Sequence, residues 1–174
     1  MTDVQIIDEI REKFANPVGR HLYGILGSYK RLEEFSKKLY NVKTQDDKEF
    51  PLPISLNWGI MESIPDDDFK FLVEHEAKWP EPTAAHVKRA FEEYIRSLIK
   101  QQDIIILANV ELLFAYNLEL SILRTLATDE KRIILLLPAK KEAGKIIMFP
   151  DLKNNEYTLP TNLIADNHIW QLKD

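Results

Sequence analysis

The chain has 174 residues, 23 Lys+Arg against 28 Asp+Glu for a net charge of −5, 45 % apolar residues and no cysteine. That suits one domain with a sizeable core and excludes disulfide frameworks, cysteine zinc sites and thiol nucleophiles. No apolar run approaches the roughly 18 residues of a spanning helix, and the acidic balance argues against strong direct nucleic-acid binding.

The acidic, amphipathic start MTDVQIIDEIREKF fits neither a secretory signal nor a transit peptide, so a cytoplasmic protein without membrane contact is expected. Thr2 and Gln5 form a capping box for a first helix with Val4, Ile7, Ile10 and Phe14 on one face, ended by Asn16-Pro17. Arg20 to Tyr23 reads as a strand, Gly24 to Tyr29 as a loop, and a second helix starts near Lys30 with Leu32, Phe35 and Leu39 inward. A polar linker over 43–49 leads to Ile54-Ser55-Leu56, a short strand whose flanking prolines place it at a sheet edge. Asp66, Asp67 and Asp68 suit the first turn of a helix to about Lys78. Thr83 caps a longer helix to about Lys100, with Val87, Phe91, Tyr94, Ile95 and Leu98 buried. Ile104–Leu107 and Ile133–Leu137 are continuous apolar runs, as in parallel strands buried on both faces. A helix over 118–128 joins them into a βαβ unit. Short strands are expected at 146–149, 157–159 and 168–170. The fold class is therefore α/β, with a mainly parallel central sheet flanked by helices. One domain is expected: an N-terminal helix over 1–16, a core over 20–150 and a C-terminal extension over 151–174.

Residues 20–40 carry the strongest chemical signal. A phosphate-binding loop follows a strand, opens a helix, and uses a glycine-rich turn, a lysine for the terminal phosphates and a hydroxyl for magnesium. In Gly24-Ile25-Leu26-Gly27-Ser28-Tyr29-Lys30-Arg31, Gly24 and Lys30 fit the G-x-x-x-x-G-K-[S/T] spacing. Tyr29 stands at the second glycine and Arg31 at the hydroxyl. Downstream, Ile104–Leu107 has the shape of a Walker B strand lying beside that loop, with Ala108 at the carboxylate position and Glu111 as the nearest acid.

Leu22-Tyr23-Gly24 with Lys30, Pro53-Ile54-Ser55-Leu56-Asn57, and especially Asn109-Val110-Glu111-Leu112-Leu113-Phe114 resemble the small P-loop protein of bacterial BREX phage-defence operons. Leu123-Arg124-Thr125-Leu126 and Lys131-Arg132-Ile133-Ile134 fit the same pattern, so the similarity runs over about residues 20–150. The resemblance implies a P-loop NTPase-like fold with degenerate Walker motifs, ATP as ligand and a multi-gene anti-phage setting. Its partners would be other proteins of that system, including a large ATPase.

The departures fall where the chemistry is concentrated. Tyr29 cannot easily take the positive φ that glycine supplies. Arg31 and Ala108 remove both usual magnesium contacts, and phosphoryl transfer depends on that metal. The reading is a non-hydrolysing subunit with weak ATP binding allowed, no magnesium and no catalytic residue of its own. The candidate nucleotide contacts are Gly24, Gly27, Ser28, Lys30 and Arg31, and the Walker B-like residues are Asn109 and Glu111. Two alternatives stand beside it: an ATPase completed by a partner's residues, and an interaction module that binds no nucleotide. Each candidate also has a plain structural role: a strand-to-helix turn for the glycines, a solvated first-turn lysine for Lys30, and a local cap or ion pair for Asn109 and Glu111. Arg124 and Arg132 could act as arginine fingers or sit as ordinary surface cations. His75-Glu76 begins like a zinc-protease motif, but Trp79 occupies the second ligand position, and no metal site is expected.

Overall fold

A computed structural model describes residues 1–153 and 155–173; Asn154 and Asp174, both in the expected C-terminal extension, lie outside the described residues. The strands are β1 (Leu22–Gly27), β2 (Ile54–Ser55), β3 (Ile104–Ala108), β4 (Arg132–Glu142), β5 (Lys145–Met148) and β6 (Ile169–Gln171). The sheet order is β2-β3-β4-β1-β6, every pair parallel, and β5 folds back antiparallel on the far end of β4. The mainly parallel α/β sheet expected from the sequence is thus present. Ile105 pairs with Ile133 and Ile106 with Ile134, so the two apolar runs are neighbours. The Walker B-like strand is not beside β1. It lies in the same sheet with β4 between them, two strand spacings or roughly 10 Å away.

Strand alternation divides the core in two. Tyr23, Ile25, Ile106, Ile134 and Leu136 face α1 (Asp3–Ala15) and α2 (Tyr29–Tyr40). Leu22, Leu26, Ile105, Leu107 and Leu135 face the opposite layer. That layer holds α3 (Leu56–Glu62), α4 (Asp66–His75), α5 (Pro80–Gln101), α6 (Glu111–Ala115) and α7 (Ser121–Leu126). Among the described residues no helix is long and apolar enough to cross a membrane.

Thr2 and Gln5 form the expected capping box, and Asn16 ends α1. Ile6, Ile7, Ile10 and Phe14 are buried, each stabilising the docked helix by roughly 1.5–3 kcal/mol. Val4 is 64 % exposed instead, because Ile6 takes its place on the inward stripe.

The largest departure lies at β1. The expected strand 20–23 and loop 24–29 are replaced by one strand over Leu22–Gly27, paired with β4 throughout and with β6 over Gly24–Leu26. The expected helix over 118–128 is the shorter α7, and a separate short helix, α6, precedes it. Asn117, at φ 48°, ends α6 in a left-handed turn, with Leu118 N–H donating to the Leu113 carbonyl at 2.8 Å, and α7 starts afresh at Ser121. Pro80 opens α5, so Thr83 is a buried residue inside that helix rather than its cap. The expected strand 157–159 is a single bridge from Ile147 to Thr158.

Candidate functional site

Because the five strands are parallel, their carboxyl ends share one edge, where strands hand over to helices. In open α/β sheets ligands bind in the crevice outside that edge. Here the edge carries a cavity of about 590 Å³, lined by residues from β1, β4, β6, the start of α6 and the segment after β5.

The β1–α2 junction forms one wall. Gly27 is the last strand residue, Ser28 caps the helix by accepting a hydrogen bond from Arg31 N–H at 3.4 Å, and Tyr29 is already helical. One residue therefore separates strand from helix, and no loop is left to wrap a phosphate. Gly24 is buried within β1, where an added Cβ would lie 3.0 Å from Ile164 Cδ1. Its small size leaves room for the Ile164 side chain against β1. At Gly27 an added Cβ would meet Leu172 at 3.3 Å.

The two basic candidates separate. Arg31 turns from the cavity toward α1: its guanidinium bonds Glu34 at 2.6 Å, Asp3 at 3.0 Å and the Lys173 carbonyl at 2.8 Å. Burial pushes the Asp3 carboxyl up, but hydrogen bonds from Lys38 and Arg31 outweigh it and hold the group below its ordinary range. Lys30 is exposed, lies outside the cavity lining, and makes no ion pair among the described residues.

A polar network ties the carboxyl ends of β2 and β3 to that junction. The Tyr29 hydroxyl donates to Glu111 Oε1 at 2.6 Å, and Asn57 Nδ2 donates to Glu111 Oε2 at 2.6 Å. Asn57 Oδ1 in turn accepts from Leu112 N–H at 3.0 Å, and Asn57 N–H donates to the Asn109 carbonyl at 3.0 Å. Asn109, at φ 53°, donates through its amide to Ser55 Oγ at 3.1 Å. Asparagine is among the residues that tolerate this left-handed conformation. Asn109 and Glu111, expected as a Walker B-like pair, are thus brought to the same edge as Gly27 and Ser28. Tyr29, the first residue of α2, closes that edge with a side-chain bridge. Burial first, then the Glu111 hydrogen bond and the charges of Glu111 and Asp151, push the Tyr29 phenol far above its ordinary range, so it stays a neutral donor.

The opposite wall comes from the segment after β5. Phe149 holds φ at 52°, its N–H donating to the Pro138 carbonyl at 2.6 Å. Its ring meets Phe114 and Tyr157 edge to face, with centroids at 5.4 and 6.0 Å. Asn155 pins this wall by donating its amide to the Met148 and Phe149 carbonyls. Asp151 and Lys140 also line the cavity, Lys140 bonded to Glu142 at 2.9 Å.

The Tyr29 hydroxyl, Asn57, Phe149, Asp151 and Tyr157 carry no functional signal in the sequence. Asn57 stood inside the Pro53–Asn57 stretch, but nothing local shows that it would meet an acid 54 residues away. Ser28 Oγ already serves as the α2 cap. Among the described residues no three His, Asp or Glu side chains gather as a metal-binding group. No known protein family, curated protein or solved structure matches the chain.

Proposed function

We propose that the chain is a non-hydrolysing, P-loop-NTPase-like subunit of an anti-phage assembly of the BREX type. It works by contacts with the other proteins of that system, its large ATPase included, and not by nucleotide turnover. The observation that carries the non-hydrolysing part is the direct passage from β1 through Ser28 into α2. A triphosphate needs a concave run of backbone N–H groups, and here Gly24 to Leu26 are paired strand residues. Two further features support it. Arg31 is held by Asp3 and Glu34, and Glu111 and Asp151 place negative charge where a phosphate would approach. The defence setting and its partners rest on the resemblance of residues 20–150, above all Asn109–Phe114. That setting also places the protein in the cytoplasm.

The test is turnover and thermal shift with ATP, with and without magnesium, for the protein alone and with the large ATPase of the same system. The purified chain hydrolyses no ATP and adds nothing to the partner's rate beyond what a complex requires. With a dissociation constant above about 1 mM, millimolar ATP stabilises it by no more than about 0.4 kcal/mol, a rise of roughly 1–2 °C. Steady ATP breakdown by the isolated chain overturns the proposal.

A further inference from the structure

An inference about the cavity at the carboxyl edge rests on the proposed reading, in which ATP binds there no tighter than about 1 mM. Its wall charges are mismatched. Among the described residues neither Glu111 nor Asp151 is paired with a cation, whereas Lys140 already bonds Glu142 at 2.9 Å. Glu111 is held in place, each carboxylate oxygen accepting one bond, from Tyr29 and from Asn57 at 2.6 Å. An ionised carboxylate offers about four acceptor sites, so roughly two remain for a ligand.

Around these charges stand apolar and aromatic surfaces: Tyr29, Phe149 and Tyr157, with Leu152, Leu172 and Pro138. The edge-to-face contacts of Phe149 and the Asn155 bonds fix that wall before any ligand arrives. Fixed carboxylates beside aromatic faces attract cations by charge and by ring quadrupole. They repel phosphates and simple carboxylates. A volume of about 590 Å³ holds a head group together with an apolar stem.

We infer that this cavity binds an organic cation, a guanidinium or primary ammonium group on an apolar stem, with Glu111 and Asp151 as its counter-charges and Tyr29, Phe149 and Tyr157 as its walls. A guanidinium fits best, because its planar fork bonds carboxylates and stacks on rings at once. Two sources present this chemistry: a free small molecule, or an arginine side chain on a partner protein.

The experiment is calorimetric titration of the full chain with agmatine, with a blocked Gly-Arg-Gly peptide and with ATP. The same titrations follow on Asp151→Asn, Glu111→Gln and, as a distant control, Arg20→Gln. Agmatine or the peptide binds saturably below about 10 mM. Affinity falls about ten-fold in Asp151→Asn and at least as much in Glu111→Gln, weakens with added salt, and is unchanged in Arg20→Gln. Asp151 is exposed, so its variant keeps the fold if Glu111→Gln does not. The better of the two cationic probes tells a metabolite from a partner's side chain. No binding of either, or binding equally strong in both carboxylate variants, overturns the inference and leaves the non-hydrolysing reading standing. ATP binding tighter than about 1 mM that displaces the cation overturns the weak-binding reading beneath it.

Discussion

The two ends of the parallel sheet are built on opposite plans. At the amino end polar groups are turned into structure. Arg132 is 7 % exposed, donates to the Phe14 carbonyl at 2.7 Å and the Glu130 carbonyl at 2.8 Å, and lies 5.3 Å from the Phe14 ring centroid. It thereby closes the last turn of α1, where a cation is favoured. His21 bonds the Tyr23 hydroxyl at 2.7 Å, and Tyr23 packs on His168 at 4.6 Å. At the carboxyl end the network of Tyr29, Asn57 and Glu111 frames a cavity, with Asp151 unpaired at its lining among the described residues. The difference teaches where to look for function in such a sheet. Among the described residues the edge where strands pass into helices leaves Asp151 without an ion pair, whereas at the other edge Arg132 and His21 bond across elements to hold the layers together.

The contrast breaks most visibly at Arg132. Arg132→Ala leaves two carbonyls without their partner and removes the contact with Phe14, costing about 3 kcal/mol, or roughly 6–12 °C in melting temperature. Ligand binding at the far edge survives in the folded fraction. Thermal denaturation with a titration on the same sample checks both halves.

Building a Walker pattern into the chain has the next largest effect, in the unhelpful direction. The triple variant Tyr29→Gly, Arg31→Ser, Ala108→Asp loses the bond to Glu111 and leaves Asp3 with Lys38 as its remaining ion-pair partner. It is destabilised by about 2 kcal/mol and gains no ATP binding, because the junction has no loop to shape. Millimolar ATP affinity or better in this variant would contradict the account of β1.

Gly24→Ala sharpens the comparison further. A phosphate-cradle glycine would matter to ligand and not to stability. The packing found here predicts a loss of about 1 kcal/mol as Ile164 gives way, with cation binding unaltered. Chemical denaturation of the two proteins measures it.

The smallest effect is in pH. Burial first, then the positive charge of Arg132, hold the His21 imidazole below its ordinary range; burial first, then Lys13, do the same for His168. Both are neutral in the folded protein, and the unfolded chain binds their protons more readily. Their contribution to stability is complete above the unfolded value of about 6.5 and is lost as pH falls through that value toward the folded ones. The melting temperature therefore drops on going from pH 7 to pH 5, and the double variant His21→Gln, His168→Gln flattens that drop.

Much of the fold was legible because it rests on local periodicity. The runs Ile104–Leu107 and Ile133–Leu137 announced paired buried strands, and Thr2 with Gln5 announced the start of α1. What misled was glycine. Gly24 and Gly27 read as a loop because glycine permits one, whereas here Gly24 is a strand residue packed close against the Ile164 side chain, 140 positions later in the chain. Such a contact leaves no trace in the spacing of neighbours. The site was half visible for the same reason. Glu111 and Asn109 followed a recognisable strand, but Asn57, Phe149 and Asp151 arrive from distant segments. Phe149 adopts a positive φ that its own identity does not announce.

Backbone amide exchange at β1, read residue by residue with and without ATP, tests the central claim most directly. If β1 runs unbroken into α2, the amides of Ile25 and Leu26 are protected to nearly the global unfolding free energy, and their resonances do not move at millimolar ATP. Amides of Gly24 to Gly27 that exchange freely and shift on adding ATP would mean that the segment is a phosphate-binding loop after all.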